Sequence, residues 1–271
     1  MARTRVLITV KTYPSLSTKY NELVCTAGLT EEGDWIRIYP IKFRELEYVH
    51  KYSKYQWIEI DIVRNTSDFR SESYRPITLD TVPTVLNKVE TNGNWLERRR
   101  LVLNKVYDNF ETLISEAKQA PKYKSLAVFK PTEVIGFKIE QVSREWKPKK
   151  LEAIKQLGLF EQVGARRTPL RKLPFKFSYV FKDVTGKKRT LMIEDWEIGA
   201  LFWRYHDEEE ACQKVKEKYF DDFAKRKDLH FYVGTTKAKH MIAKNPFVII
   251  GTFHPPYLPA SASTPQLDLF S

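Results

Sequence analysis

The chain has 271 residues, with 46 Lys and Arg against 34 Asp and Glu, a formal net charge of +12, 42% hydrophobic and 13% aromatic residues. This composition excludes a disordered chain, and the length allows one large domain or two modest ones. No stretch approaches the ~18 apolar residues of a membrane span, and Cys25 and Cys212 stand far apart with no metal-ligand spacing, which argues against a zinc site and fits a reducing cytoplasm.

The start reads as β. Arg5–Val10 is strand-like and is interrupted by Lys11, so it reads as a strand and not a leader. Glu22–Gly28 follows, then a turn over Glu31–Asp34 and an alternating strand, Trp35–Pro40. Gln56–Val63 alternates cleanly, with Trp57 out of phase with Ile58, Ile60 and Ile62. Short strands separated by turns predict a small antiparallel barrel or curled sheet.

Apolar residues then recur at helical spacing from Leu101 through Val106, Phe110 and Leu113 to Ala117, predicting one long helix over 94–120, capped by Asn94 and ended by Pro121. Val128–Glu140 reads as strand and Pro148–Leu157 as a short helix. Leu173–Ile193 is the clearest hairpin, turning at Asp183–Gly186, with Phe175, Phe177, Tyr179 and Phe181 on one face. His206 or Asp207 caps a helix running to about Lys227, and two strands follow, Leu229–Gly234 and Phe247–Phe253. The expected fold class is α+β, with a β-rich barrel-like part and its long helix over 1–143, a basic α+β part over 144–254 and a flexible tail over 255–271.

The charge is unevenly spread. Residues 138–189 hold 15 basic and 5 acidic side chains, the pattern of a polyanion-binding surface. Candidate nucleic-acid contacts are Lys149, Lys150, Arg166, Arg167, Arg171, Lys172, Lys176, Lys182, Lys187, Lys188 and Arg189. The aromatics beside them form either a stacking platform for unpaired bases or simply the core face of a strand.

Catalytic signals are weak. Glu59 and Asp61 share a strand face, and Asp195 and Glu197 form a second acidic spot, but neither pair has the spacing of a metal-dependent nuclease. Asp195 reads more simply as a helix cap before Trp196, and the five histidines as structural. No cofactor is implied, with Mg²⁺ entering only if a nuclease activity holds, and no glycine-rich phosphate loop is present.

The last residues are Gln266, Leu267, Asp268, Leu269 and Phe270, behind a Pro- and Ser-rich stretch that reads as a tether. This peptide resembles the motif by which bacterial replication and repair proteins bind the β sliding clamp, whose pattern is Gln, Leu, Ser or Asp, Leu, Phe. Alternatively, Leu267, Leu269 and Phe270 fold back onto the body. Segments 11–20 and 35–44, which mix lysines, hydroxyls and aromatics, resemble the opening of OB-like small-barrel modules in bacterial DNA-processing and defence proteins, including dual OB-like ones. Together these features imply a cytoplasmic, clamp-recruited protein that binds DNA or RNA and no membrane. The alternatives are a clamp-delivered nuclease or base-modifying enzyme, and a protein-binding adaptor in phage defence.

Overall fold

The computed structural model describes residues 3–17, 21–146 and 171–259, together with residues 148 and 152. Among the described residues, fourteen strands form in chain order. The first seven are β1 (Arg3–Lys11), β2 (Ser15–Ser17), β3 (Asn21–Leu29), β4 (Trp35–Ile41), β5 (Gln56–Arg64), β6 (Ser73–Pro76) and β7 (Thr84–Lys88). They are followed by β8 (Val106–Tyr107), β9 (Leu126–Phe129), β10 (Glu133–Gln141), β11 (Phe175–Lys182), β12 (Lys188–Met192), β13 (His230–Thr235) and β14 (Phe247–Phe253).

The first half closes into a five-stranded barrel in the order β1-β3-β4-β6-β5, with β5 returning to β1, while β2 and β7 lie off the ring. All ring pairs are antiparallel except β4–β6. The barrel-like expectation therefore holds, and the reason lies in the alternation. Val6 and Ile8 of β1 point inward with Ile36, Ile38, Ile58 and Ile60. Their out-of-phase neighbours Leu7 and Trp57 point outward, as does Val10 past the register shift that follows Ile8, against Leu126, Val128, Tyr232 and Phe253 of the second half. Each such fully buried aliphatic side chain contributes about 1.5–3 kcal/mol. The two halves are thus joined by an apolar layer and not by a linker.

The second half repeats the strand order. β10, β11 and β12 form one sheet, and β14, β13, β9 and β8 another. A parallel bridge between Ile193 and Ile249 joins β12's end to β14, and the short step from Phe129 to Glu133 carries the chain from β9 into β10. With β9 and β10 counted as one bent strand, the ring runs first, second, third, fifth, fourth, as in the first half. In both halves the third and fifth strands are the parallel pair. Phe177, Tyr179, Phe181, Phe110, Phe129 and Phe231 fill this second core. The hairpin aromatics beyond Phe175 are therefore core residues, not a base-stacking platform.

The single helix expected over 94–120 is two: α1 (Asn92–Val102) and α2 (Phe110–Lys118), with β8 between them. Val106 pairs in parallel with Val128, so its apolar side chain serves a strand. Asn109 restarts the helix by accepting hydrogen bonds from the Glu111 and Thr112 amides. Asn94 is not a cap: it sits at φ 55°, beside Gly93 and Trp95, which also have positive φ. Asp195 caps α3 (Trp196–Phe202), accepting from the Glu197 amide, and Asp207 caps α4 (Glu208–Lys216), which continues as π-helical turns over Glu217–Ala224. A short α5 (Lys237–His240) precedes β14. The helix expected over Pro148–Leu157 lies, apart from residues 148 and 152, outside the described residues. No helix among the described residues is long and apolar enough to cross a membrane.

Candidate nucleic-acid interface

The seam between the two barrels opens into a cleft of about 660 Å³, within the range of ligand sites. Segments from both halves build it. The end of β1 supplies Thr12 and Tyr13, which cross the seam: Thr12 bridges Asp195, and the Tyr13 amide donates to the Glu194 carbonyl at 3.1 Å. β4 supplies Arg37 and Tyr39, the β5–β6 loop Arg70, the start of β11 Lys172 to Phe177, and the loop after β13 Thr235 to Lys237.

Two buried guanidiniums form the floor. Arg37 Nη1 donates to Ser125 Oγ at 2.7 Å, and its Nη2 to the carbonyls of Ser125 and Thr235 at 3.2 and 3.3 Å. Arg70 Nη1 donates to the same Thr235 carbonyl at 2.6 Å, while its Nε and Nη2 grip Asp68. Ser125 Oγ in turn donates a hydrogen bond to Glu72 at 2.9 Å. Burial opposes the charge of Asp68, but the Arg70 hydrogen bonds and charge outweigh it and hold that carboxyl down to about 2. Both guanidiniums come from the first half and are held by backbone carbonyls of the second, so the floor is positive and tied across the seam. Burial, first, and the neighbouring Arg70 push the Arg37 guanidinium below its ordinary range. Burial raises the Cys25 thiol, so this cleft residue is a neutral wall and not a thiolate nucleophile.

The walls are aromatic. Tyr13, Tyr39, Trp146, Phe175 and Phe177 all face the cleft. Tyr13 is anchored at both ends of its hydroxyl, accepting from Trp203 Nε1 and donating to the Arg171 carbonyl, each at 2.8 Å. The rim carries three lysines. Lys176 pairs with Glu140 at 2.9 Å. Lys172 donates to the Ser143 carbonyl and Lys237 to the Ser67 carbonyl, so these two charges meet no carboxylate among the described residues.

The candidate contacts distribute unevenly over this geometry. Lys172 and Lys176 reach the cleft, and Arg171 stacks beside it over Trp203 at 3.6 Å. The remaining hairpin cations sit at its far end. Lys182 pairs with Glu133 at 2.9 Å, Lys187 with Glu111 at 2.5 Å, and Arg189 with Asp183 and Glu111 at 2.8 and 3.0 Å. Lys188 lies exposed on β12. Lys149, Lys150, Arg166, Arg167 and the peptide Gln266–Phe270 lie outside the described residues.

Of the acidic candidates, Glu59 pairs with Arg3 at 3.0 Å, with Asp61 further along the same strand. Asp195 and Glu197 share Lys54, at 3.5 and 2.9 Å. Among the described residues no group of three or more His, Cys, Asp or Glu stands ready to hold a metal ion. His240 is structural: it accepts from Thr235 Oγ1 at 2.7 Å and donates from Nε2 to the Ala117 carbonyl at 2.6 Å. Arg70 and Lys237 carried no pattern that singles them out in sequence. Only their convergence on Thr235 and Ser67 brings them to the site.

Family models match both halves. One described as Domain of unknown function (DUF8758) covers residues 2–104, and one described as Domain of unknown function (DUF8757) covers residues 106–271. No curated protein matches the chain. Among solved structures, it is similar at 10% identity and a TM-score of 0.32 to the murine chain titled "Structure of murine DNA binding protein bound with ds DNA", with 96% of this chain and 98% of that one covered.

Proposed function

The chain belongs to the family described as Domain of unknown function (DUF8757), and we propose that it binds nucleic acid in the cleft between its barrels. Unpaired bases lie against the aromatic walls and phosphates meet Lys172, Lys176 and Lys237. One observation carries this reading: a cavity of about 660 Å³ has Tyr13, Tyr39, Trp146 and Phe175 in its walls beside rim cations that carboxylates leave uncompensated. Stacking contributes about 1–3 kcal/mol per base, tolerant of sequence, while each phosphate contact adds salt-dependent affinity. A cavity of ligand size admits a splayed strand rather than a duplex.

The Gln266–Phe270 peptide docks on the β sliding clamp in this reading. Two weak contacts, one to the strand and one to the clamp, then reinforce each other through effective concentration.

Fluorescence anisotropy with single-stranded DNA, single-stranded RNA and duplex tests the first part. Wild-type affinity is expected to fall steeply with salt, and the Lys172→Glu/Lys237→Glu variant to bind weakly with a shallower slope. Equal binding by that variant, or a flat salt response, refutes the cleft. A clamp pull-down with and without Gln266–Phe270 tests the second part, and undiminished capture of the truncated chain refutes it.

A nucleic-acid-processing enzyme is the second reading, favoured by Asp195. This carboxyl lines the cleft, and burial raises it against the opposing charge of Lys54, whose Nζ lies 3.5 Å from its Oδ2. Cleavage or base modification of a bound strand that disappears in Asp195→Asn supports it. Unaltered strands with wild-type protein refute it.

A further inference from the structure

A second cavity, of about 690 Å³, lies across α3 from the cleft. Ile198 lines the cleft, whereas Glu197, Ala200 and Leu201, and Arg204 just past the helix end, line the second cavity. The helix is therefore a partition between two chambers.

This chamber is lined by six cationic side chains and two carboxylates. Three of the cations are satisfied: Lys54 pairs with Glu197 at 2.9 Å, Lys214 with Glu217 at 3.0 Å and Lys218 with Asp222 at 2.7 Å. The other three are not. Arg98 is buried, spends its Nε on the Val89 carbonyl at 2.8 Å, and lies over the rings of Tyr55 and Trp95 at 4.2 and 4.8 Å. Lys88 and Arg204 are exposed at the mouth, and no carboxylate among the described residues pairs with them.

Arg98 is a buried charge that no carboxylate among the described residues pairs with, which costs stability unless an anion completes it, and Lys88 and Arg204 add positive charge at the mouth. The walls narrow the choice of anion. Trp95 and Tyr205, both half-buried, line the chamber. His254 stacks on Phe223 with centroids 3.5 Å apart and offers an imidazole whose Nδ1 meets Thr252 Oγ1 at 3.3 Å. Arginine beside flat rings suits a ligand with an anionic end and an aromatic end.

We propose that the second cavity is a binding site for a free nucleoside phosphate, its phosphate held by Arg98, Lys88 and Arg204 and its base set against Trp95 and Tyr205. The site is separate from the strand-binding cleft and stands without that reading.

Isothermal titration of the full chain with AMP, ATP and inorganic phosphate at low salt is the test. One mole of nucleotide is expected to bind per chain, with phosphate at least about tenfold weaker. Lys88→Glu/Arg204→Glu replaces two surface cations and is expected to weaken nucleotide binding at least about tenfold without lowering the melting temperature of the free protein. Lys237→Glu, on the cleft rim, is expected to leave the titration unchanged. No heat with any nucleotide at millimolar concentration overturns the proposal. So does phosphate binding as tight as nucleotide, unchanged binding in the double variant, or loss on Lys237→Glu instead.

Discussion

Lys54 of the first barrel places its Nζ 3.5 Å from Asp195 Oδ2 of the second, and both side chains are almost wholly buried, at 5% and 0% exposure. The pair ties the halves together at the base of α3, where the Asp195 carboxylate also caps the helix. Removing one partner of such a pair leaves the other charge stranded. Lys54→Met is therefore expected to cost about 3–5 kcal/mol of unfolding free energy. Lys54→Met/Asp195→Asn, which keeps the cap acceptor and removes the stranded charge, should recover at least half of that loss. Urea denaturation of the three proteins checks this, and a double variant as unstable as the single one contradicts it.

The cleft makes a different kind of prediction, because its two ingredients respond to different variables. Phe175 is half-buried and lines the cleft at the entry to β11. Phe175→Ala is expected to weaken single-strand binding by about 1–3 kcal/mol while leaving the slope against salt unchanged, since it removes stacking and no charge. Lys237→Glu should do the reverse and flatten the slope by about 0.7 for each phosphate lost. Anisotropy titrations at several salt concentrations separate the two effects. A changed slope in Phe175→Ala counts against a stacking role.

The barrel strands are legible in the sequence because each obeys a period of two that one chain segment contains. Trp57 out of phase with Ile58, Ile60 and Ile62 already states which residues fill the barrel and which face its neighbour. The cleft is not legible. Thr12, Arg37, Arg70, Phe175 and Lys237 are brought together only by ring closure, and no local period links them. The basic block misleads for a related reason. Charge counted along the chain ignores partners from other elements: Glu111, Glu133 and Glu208 arrive from outside the block to pair with Lys187, Lys182 and Arg144, while Glu140, inside it, pairs across strands with Lys176. The long helix fails because Val106 keeps the helical period while pairing as a strand. Asn109, a strong cap in the middle of the run, is the signal that breaks it.

Three packed histidines, His230, His240 and His254, are all held below the ordinary imidazole range, chiefly by burial, and shape the acid response. Burial, first, and then the charge of Lys54 hold His254 down at about 2. Burial and Lys130, against the pull of Asp228, hold His230 down at about 4. Both values lie below the ordinary ~6.5, so the unfolded chain binds these protons first. The stability they confer is complete above about pH 6.5 and is lost as pH falls toward the folded values. His254→Phe keeps the stack on Phe223 and removes one titrating group. Between pH 6 and 4 its stability should fall less steeply than wild type, by up to about 1.4 kcal/mol per pH unit. Urea midpoints at pH 7, 6, 5 and 4 measure this, and parallel curves refute it.

Gly199 shows how tightly the seam depends on one missing methyl. A Cβ built there lies 2.2 Å from Cδ2 and Cε2 of Tyr13, far inside contact distance. The ring cannot swing aside freely, because its hydroxyl is held by Trp203 and by the Arg171 carbonyl, and its amide by Glu194. Helix propensity alone favours alanine over glycine by about 1 kcal/mol, so a propensity argument predicts that Gly199→Ala stabilises α3. The close approach predicts the opposite: a loss of about 1–3 kcal/mol from overpacking. It also predicts displacement of Tyr13 from the cleft wall, with weaker strand binding as the second consequence. Pairing Gly199→Ala with Tyr13→Leu, which vacates the ring edge, should restore stability without restoring binding. A stabilised Gly199→Ala that binds strands as wild type does would show that Tyr13 moves freely and that the seam is looser than its hydrogen bonds imply.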